Sequence, residues 1–325
     1  MEAKVLGMGN ALVDVLVRIP NDEILRQFGL PRGSMQLVDN ARSAEIFEAI
    51  RNLNPQTVSG GSASNTISGL SNLGIATGIF GKIGRNELGQ LYKSDMEKSG
   101  VETHLFSSDT LSGNCISLIS PDSERTMATC LGAAIELTAN DISDDLFYGF
   151  SHLYVEGFLV QNYDLIETAF RKAHQHGLTC CLDLASYNVA EENKEFLIQL
   201  IDKYVDVVFA NEEEATAFTG KEDTEALNEI GELASTVVVK LGRRGSLIKM
   251  NDTITRVGIV SCIPIDTTGA GDLYAAGFLY GMINGLSPEK CGEAGAILAG
   301  NVIEVIGTKM DTQRWTNIRK AINKL

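Results

Sequence analysis

The sequence predicts an α/β fold: a three-layer αβα sandwich with a mostly parallel central sheet, and a small β-sheet lid beside it. Two observations carry this prediction. From about residue 150 onward, short apolar runs alternate with segments whose apolar residues recur at helical spacing. In the N-terminal half, β-rich segments follow one another without a covering helix between each pair, as in "KVLGMGNALVDVLVRI" and "TLSGNCISLISPDSERTMATCLG".

The C-terminal alternation predicts the parallel sheet. The run "HLYVEG" precedes a predicted helix near 162–176, "LTCCLDLA" precedes one near 191–204, and "VDVVFAN" precedes one that opens at Glu212. The run "TVVVKLG" leads into a glycine turn. Strands that alternate with helices form right-handed βαβ units, which place helices on both faces of a parallel sheet.

The N-terminal half combines this sheet with the lid. Helices predicted near Ser62 and over 86–99 continue the parallel sheet, and segments near 11–41 and 101–131 are expected to form the lid. No low-complexity linker or internal repeat divides the chain, so we expect residues 1–325 to form a single domain. An exposed lid sheet has edges to cover, which favours a homodimer formed through the lid.

Composition excludes two classes of partner and predicts a location. The formal net charge is −15, so the chain lacks the excess of Lys and Arg with which nucleic-acid binders displace counterions. Asp14 and Arg18 interrupt the apolar stretch at the N-terminus, so we expect neither a signal peptide nor a membrane span. The six cysteines show no C-x-x-C spacing, which favours reduced core thiols and a cytoplasmic protein.

The stretch "DTTGAGD", followed by an alanine-rich helical run, predicts an anion site. Backbone N–H groups of Gly269, Ala270 and Gly271, at a helix N-terminus, would form a cradle for a negatively charged oxygen. Asp272 would then accept a proton from a hydroxyl that attacks a phosphoryl group held there. The alternative is structural, with Asp272 as an ordinary N-cap and the glycines as a tight turn.

Two further motifs predict a sugar site. In "SGGSASNT", the pair Gly60 and Gly61 lets the backbone approach a ligand, and Asn65 can direct its amide at sugar hydroxyls. In "GNALVD", Asn10 and Asp14 follow the first strand, at the edge where parallel sheets bind ligands. The alternatives are a glycine-rich helix start with a buried Asn65, and a turn with a solvated Asp14.

The motif "NEEEATAF" predicts a magnesium site. Asn211 and Glu214 are three residues apart, hence on one helix face, where they can order Mg²⁺ and its waters between nucleotide phosphates. The alternative is an N-cap followed by acids that favour a helix N-terminus.

In this order along the chain, "GNALVD", "SGGSASN", "NEEE", "VVVKLGRRGS" and "DTTGAGD" resemble the PfkB or ribokinase-like family of carbohydrate and nucleoside kinases. The resemblance spans essentially the whole chain and implies a ribokinase-like fold that binds ATP and Mg²⁺. It implies that Asp272 deprotonates the acceptor CH₂OH over an anion hole formed by Gly269, Ala270 and Gly271.

The resemblance also implies roles for the other motif residues. The sugar ring is held by Asn10, Asp14, Gly60, Gly61 and Asn65; the nucleotide and its Mg²⁺ are bound by Asn211, Glu214, Lys240, Gly242, Gly245 and Thr267. Lys240 departs from the family pattern, because many relatives carry Thr there. A monovalent-cation site, which implies K⁺, is formed by Asp266, Thr268, Val302, Val305 and Gly307.

Three residues outside the motifs complete the candidates. Arg125 falls in the lid, where relatives place a basic residue near the phosphates; its alternative is a solvated strand-end Arg. Glu156 and Phe158 in "YVEGF" follow a predicted strand and face the same mouth, so either is a candidate substrate contact. The alternative for Phe158 is core packing.

The N-terminal segment predicts the acceptor. It resembles adenosine-kinase-like members of the family through Glu23-Ile24-Leu25, Phe28, Leu30 and Leu37. These apolar side chains would keep a flat purine from water, which implies phosphorylation of adenosine to AMP. Glu156 favours the alternative, an ATP-dependent kinase of ribose or fructose type. A non-catalytic ligand sensor on the same fold is a third reading.

Overall fold

The computed structural model describes residues 3–122 and 124–325. In chain order, the strands are β1 Lys4–Met8, β2 Leu12–Arg18, β3 Met35–Leu37, β4 Gln56–Gly60, β5 Ala76–Gly84, β6 Glu102–Ser108, β7 Ser112–Ile119, β8 Arg125–Gly132, β9 His152–Glu156, β10 Thr179–Asp183, β11 Val207–Asn211, β12 Thr236–Lys240, β13 Ser246–Met250 and β14 Thr253–Val257. The helices are α1 Glu23–Gln27, α2 Asn40–Ile50, α3 Ser62–Asn72, α4 Glu87–Lys98, α5 Tyr163–Gln175, α6 Tyr187–Glu192, α7 Lys194–Tyr204, α8 Glu212–Thr219, α9 Asp223–Ile230, α10 Ala270–Ile283, α11 Pro288–Val302 and α12 Thr312–Ile322.

The larger sheet has nine strands in the order β14-β13-β12-β11-β10-β9-β1-β5-β6. The strands from β12 to β6 are mutually parallel, and β13 and β14 extend the sheet as antiparallel hairpins. The parallel strands are short apolar runs buried on both faces, as expected when helices cover both sides. The predicted βαβ alternation is therefore confirmed.

Side chains that alternate along each strand feed two separate cores. Along β9, Leu153 and Val155 pack with Phe170 of α5, on the face that α7, α8 and α9 also cover. Tyr154 points to the opposite face and packs in the core that holds Phe278 of α10, together with side chains from α3, α4, α11 and α12. Helix, sheet and helix form the three layers that the sequence predicts.

The smaller sheet is the lid, with strand order β3-β8-β7-β2-β4. Its strands come from 12–18, 35–37, 56–60, 112–119 and 125–132. The sequence placed the lid near 11–41 and 101–131, so β4 is an addition and β6, which pairs with β5, belongs to the large sheet. The outer lid edge is the three-residue β3, and the homodimer through the lid stays a prediction.

The lid has a hydrophobic core of its own. Val15 and Val17 of β2 pack with Ile46 and Ile50 of α2 on the face turned away from the large sheet. The same core is completed by Leu25, Phe28, Leu30, Ile116 and Leu118, all of them buried. The expectation that Phe28 and Leu30 cover a purine is therefore wrong: they stabilise the lid from inside, and only Leu37 of that set is well exposed, at 58%.

One predicted helix is divided in two. The sequence predicts a helix over 191–204, whereas α6 ends at Glu192 and α7 begins at Lys194. Asn193 lies between them, and its backbone N–H and side-chain amide both donate to the carbonyl of Val189. An Asn side chain that competes for a backbone carbonyl favours such a break. In the described part of the chain, no helix is both long and apolar enough to cross a bilayer.

Candidate active site

The predicted site residues converge where the large sheet faces the lid. The carboxyl ends of β9 to β12 present Glu156, Asp183, Asn211 and Lys240 side by side. The N-termini of α3, α8 and α10 point at the same edge, where parallel sheets with helices on both faces bind ligands. The lid strand β2 adds Asp14 from above.

Asp272 lies in the first turn of α10 and is held by two donors. Ser62 Oγ donates to one carboxylate oxygen at 2.8 Å, and Asn65 Nδ2 donates to the other at 2.9 Å. Gly269 is the N-cap and Asp272 makes no capping contact, so the alternative of Asp272 as an ordinary cap is not observed. Asp272 therefore presents a fixed carboxylate toward the cleft.

Burial raises the pKa of Asp272 to about 6, although the bonds from Asn65 and Ser62 favour the charged form. The carboxylate of Asp183 adds to the rise, and the ammonium of Lys240 opposes it. At neutral pH Asp272 is therefore ionised but more basic than an exposed Asp, which suits a general base.

The glycine turn before α10 has the geometry of an anion cradle. Gly269 adopts a left-handed φ of 69°, and a Cβ there would lie 2.4 Å from Thr308 Cγ2. The N–H of Ala270 closes the turn on the carbonyl of Thr267 at 3.2 Å. The first N–H groups of a helix lack acceptors within it, and the positive end of the helix dipole adds to their attraction for an anion.

The sugar-side residues differ in their freedom to bind a ligand. The carboxylate of Asp14 lies against Gly60, where a Cβ would come within 2.3 Å of its Cγ, so this close approach requires glycine. Gly61 has a left-handed φ of 91°, and a Cβ there would meet the carbonyl of Asn10 at 2.5 Å. Burial raises the pKa of Asp14 to about 6, against the opposing charges of Arg125 and Lys309.

Asn65 is engaged by the protein at both ends of its amide. Its Nδ2 donates to Asp272, and its Oδ1 accepts from Thr308 Oγ1 at 2.9 Å. Asn65 thus orients Asp272, and its expected contact with sugar hydroxyls, for which one N–H and one lone pair remain, stays a prediction.

Glu156 is likewise an internal residue. It is 1% exposed and accepts hydrogen bonds from the backbone N–H and Nδ2 of Asn10 at 2.8 and 3.0 Å, and from the N–H of Ala63 at 2.9 Å. Burial raises its pKa to about 7. Glu156 does not face the mouth, as the sequence analysis expected, but ties the loop after β1 to the start of α3. Phe158 lies in the next turn, partly exposed.

The nucleotide side centres on Asn211 and Glu214, which form a capping box at the start of α8. Asn211 donates through its N–H and Nδ2 to the two oxygens of Glu214, at 2.7 and 2.6 Å. Burial raises the pKa of Glu214 to about 7, with Lys240 opposing the rise. The capping alternative and the proposed role with Mg²⁺ are thus compatible, because the box fixes both side chains in the cleft.

These residues fit Mg²⁺ held through its waters. Each Glu214 oxygen accepts one protein hydrogen bond and keeps a further lone pair for a water ligand. Among residues 3–122 and 124–325, no group of three or more His, Cys, Asp or Glu could enclose a metal. Mg²⁺ keeps several waters and takes its other ligands from one or two carboxylates and the substrate phosphates, where it neutralises phosphate charge.

Lys240 bridges this side and the anion cradle. Its ammonium lies 2.9 Å from Asp183 Oδ2, and a Cβ on Gly271 would lie 3.2 Å from it. Burial disfavours the charge, but the carboxylates of Asp183, Glu214 and Asp272 outweigh it and raise the pKa of Lys240. A permanent positive charge therefore lies beside the turn where the phosphoryl group is expected.

The turn "GRRG" after β12 favours glycine at its start and requires it at its end. Gly242 and Gly245 have φ values of 55° and 85°, and a Cβ on Gly245 would lie 2.0 Å from the carbonyl of Val257. Thr267 is exposed at a notch of about 230 Å³ between the lid and the turn before α10. The nucleotide contacts of all three residues stay predictions.

Four residues of the cleft were not predicted from the sequence. Asp183 ends β10 just as Asn211 ends β11, so the position after a buried strand was a usable signal. Ser62 and Thr308 hold Asp272 and Asn65, and Lys309 donates to Ser59 Oγ at 2.7 Å beside Asp14. Thr308 and Lys309 come from the segment after α11, which carried no pattern.

The arrangement defines a class of reaction, phosphoryl transfer to a hydroxyl group: a base, an anion cradle and an acidic magnesium site share one cleft. Residues 35–314 match the family described as pfkB family carbohydrate kinase, and the chain belongs to this family. It is a phosphotransferase with an alcohol group as acceptor, and kinases of this family use ATP and usually Mg²⁺.

Similar proteins carry two kinds of name. A structure of adenosine kinase from Sinorhizobium meliloti is 33% identical, with a TM-score of 0.89 over 99% of this chain and 100% of that one. A probable sugar kinase from Rhizobium etli CFN 42 is 32% identical, with a TM-score of 0.89 over 98% of both chains. Adenosine kinase from Saccharomyces cerevisiae is 27% identical over an alignment of 338 positions, gaps included, that covers 97% of this chain and 98% of the yeast protein.

Proposed function

We propose that this protein transfers the γ-phosphate of ATP to the 5′-hydroxyl of adenosine, giving AMP and ADP. The adenosine kinases of Sinorhizobium meliloti and yeast, which this chain matches over nearly its full length, support the proposal. The observation that carries it is the inner face of the lid, the face turned toward the large sheet.

The strand register places four side chains in a row across this face. Asp14 on β2 is paired with Cys115 on β7, Cys115 with Thr129 on β8, and Thr129 with Leu37 on β3. Their neighbours in the chain, including Val15, Ile116 and Ala128, pack in the outer lid core, so the four share the inner face.

The row changes from charged to apolar along its length. Asp14 at one end is suited to hydroxyl groups, and Leu37 at the other lies about 14 Å away, three interstrand spacings. Met35, which precedes Leu37 by two residues and shares its face, is also exposed, at 42%. A nucleoside has a ribose at one end and a flat apolar base at the other, and it matches this gradient better than a bare sugar does.

The proposed reaction uses Asp272 as its base. The hydroxyl oxygen forms a bond to the γ-phosphorus while the bond to the bridging oxygen of ADP breaks, and the hydroxyl proton passes to the Asp272 carboxylate. The N-terminus of α10 and the ammonium of Lys240 lie where the charge of the transferring group is expected. Ser62 and Asn65 hold the base in place throughout.

A sugar acceptor is the second candidate. The positive charges of Arg125 and Lys309 both act on Asp14. The polar end of the cleft therefore carries more positive charge than a pocket for an apolar nucleobase would. Phe28 and Leu30 also lie in the lid core, so they are not part of the surface that was expected to contact a purine. The 32% identical Rhizobium protein named as a probable sugar kinase agrees with this alternative.

An acceptor panel with ATP tests the proposal. Initial rates with adenosine, inosine, ribose and fructose should give adenosine the highest kcat/KM, and 5′-deoxyadenosine should inhibit without being phosphorylated, because it keeps the base and lacks the acceptor hydroxyl. A higher kcat/KM for ribose or fructose would refute the adenosine assignment and establish the sugar alternative.

A further inference from the structure

The monovalent-cation site predicted at Asp266 is already supplied with a positive charge by the protein. Asp266 is 7% exposed, and its Oδ1 lies 2.8 Å from Arg125 Nη1. The Arg125 side chain is only 16% exposed, so this is a largely buried ion pair between the lid and the turn before α10.

Further donors from the protein reach both oxygens of the carboxylate. Oδ1 accepts from the N–H and Oγ1 of Thr268 at 3.0 and 2.7 Å, and Oδ2 accepts from the N–H of Gly307 at 2.7 Å. With the guanidinium, four donors converge on two oxygens. K⁺ binds through oxygen atoms that replace its hydration shell, but the charge of this carboxylate is already compensated by Arg125, and its Oδ1 already accepts three hydrogen bonds.

One backbone carbonyl of the predicted set, that of Val302, is engaged as well. The carbonyl of Val302 accepts from the N–H of Val305 at 3.1 Å, and that of Ile303 accepts from the N–H groups of Ile265 and Asp266. The segment after α11 is thus bonded to the turn by its own backbone. Because Arg125 already neutralises Asp266, the site lacks the free carboxylate charge that the cation implied by the resemblance would use.

Arg125 is held in position by the lid. It is the first residue of β8, and its Nη2 donates at 3.0 Å to Ser117 Oγ on the adjacent strand β7. Ser117 is 1% exposed, so the guanidinium is anchored to the interior of the inner lid face. Within residues 3–122 and 124–325, Arg125 Nε is a buried donor without a partner, on a side chain that lines the notch of about 230 Å³.

We propose that the Arg125 guanidinium replaces the monovalent cation at Asp266, so that phosphoryl transfer by this protein does not depend on K⁺. The Asp266 carboxylate that bonds Arg125 also accepts hydrogen bonds from Thr268, one residue before the N-cap of α10. The positive charge at Asp266 therefore helps to hold the backbone of the anion cradle in place. Because Arg125 belongs to the lid, a lid side chain supplies the positive charge at Asp266 in place of a cation from the solvent.

The first test compares wild-type protein in K⁺, Na⁺ and tetramethylammonium at constant ionic strength, using whichever acceptor of the panel is phosphorylated. We expect kcat/KM to change by less than about fivefold, the lower end of ordinary effector coupling. The thermal midpoint should likewise show no rise specific to K⁺. K⁺ activation beyond this range, or a K⁺-specific rise in the midpoint, would overturn the proposal.

The second test removes the Arg125 guanidinium from its position beside Asp266. Arg125→Ala should lower kcat/KM and make it respond to K⁺ or to millimolar guanidinium, and its thermal midpoint should gain a K⁺-specific rise because Asp266 is left without a counter-charge. Arg32→Ala is the matched control: this arginine lies on the lid surface, 44% exposed, in ion pairs with Asp22 and Asp122, and its loss should leave the cation response unchanged.

Two outcomes of the second test would contradict the proposal. Full activity of Arg125→Ala without any cation response would show that the pair is dispensable, and a loss that neither K⁺ nor guanidinium restores would assign Arg125 to the phosphates alone. If Arg125→Ala does not fold, Arg125→Lys keeps the charge and should remain independent of K⁺. The thermal measurement needs no acceptor, so failure of the adenosine assignment leaves this test intact.

Discussion

The edge of the large sheet and the inner face of the lid meet across one cleft, but the protein supplies hydrogen-bond partners to the acids of the sheet edge more completely than to those of the lid. At the sheet edge, each acid has a protein partner: Ser62 and Asn65 hold Asp272, and Lys240 holds Asp183. On the lid, no hydrogen bond from the described residues reaches the Asp14 carboxylate, and Leu37 is 58% exposed.

This difference separates chemistry from specificity. A base and an anion cradle that are already positioned pay no reorganisation cost when the reaction occurs, so the sheet edge can serve any acceptor hydroxyl. The unsatisfied carboxylate and exposed apolar surface of the lid gain partners only when a ligand binds. We therefore expect the lid to select the acceptor, and substitutions on the two sides to have different kinetic signatures.

Asp272→Asn should have the largest effect, and on kcat. The amide keeps the shape and the bond from Ser62 but cannot take the hydroxyl proton, so kcat should fall roughly 10²–10⁴-fold, as for removal of a positioned general base. Equilibrium binding of ATP and acceptor should stay within a few-fold of wild type. Asp252→Asn, an exposed carboxylate in the β13–β14 turn, is the control; near-normal turnover of Asp272→Asn would remove Asp272 from its role.

The pH dependence of kcat/KM should report the protonation of the sheet-edge acid Asp272 and of the lid acid Asp14 in one measurement. Burial raises the pKa of Asp14 and of Asp272 to about 6, so each is protonated, and unable to act, as the pH falls below that value. The measurement is made at saturating Mg²⁺ and ATP, so that protonation of Glu214, whose pKa burial raises to about 7, does not limit the rate. With the two carboxylates that remain, log kcat/KM for the acceptor should fall with a slope of two, roughly a hundredfold per pH unit, below pH 6 and level off above it.

Asp14→Ala separates the two groups in the same experiment. Because only Asp272 then titrates, the slope below pH 6 should become one. A wild-type slope of one would mean that binding of the acceptor does not require an ionised Asp14.

Asp14→Ala should also raise the acceptor KM and leave the ATP KM nearly unchanged. A hydrogen bond to a charged group contributes about 1.5–3 kcal/mol, which corresponds to roughly a tenfold to hundredfold change in KM. Equal changes in both KM values would show that the substitution acts through folding. Circular dichroism and the thermal midpoint of the variant provide the control.

The sequence predicted the elements and the ends of strands at which the functional residues lie, but not how their side chains are paired. Hydrophobic period and strand-end position sufficed for the parallel sheet and for the location of the Asn211–Glu214 pair, and the glycine turn before a helix sufficed for the location of Asp272. Asn65 and Glu156 lay in the right motifs, yet they bond to Asp272 and Asn10, because pairing depends on contacts between elements far apart in the chain. Lys309 lies 250 residues from its partner Ser59, beyond the reach of any local pattern.

The lid shows the same limit for apolar residues. Phe28, Leu30 and Leu37 form one apolar pattern, and the sequence assigned all three to a purine. In the structure, Phe28 and Leu30 are 8% and 7% exposed because α2 covers the outer face of the lid, whereas Leu37 lies on the inner face beside Met35. Phe28 and Leu30 follow α1 and lie outside the strands, so the packing of that segment buries them, whereas the register of β3 places Leu37 on the inner face.

This distinction gives the smallest and most selective of the predicted effects. Leu37→Ser should lower kcat/KM for adenosine about tenfold, since removing apolar contact with a base costs about 1.4 kcal/mol or more, and should leave the rate with ribose unchanged, because a bare pentose does not reach the apolar end of the row. Phe28→Leu is the matched control: it leaves a void in the lid core, so it should lower the thermal midpoint and affect both acceptors alike. If Leu37→Ser impairs ribose as much as adenosine, or impairs neither, the base does not lie against the inner lid face, and the charged half of the row, around Asp14, would alone select the acceptor.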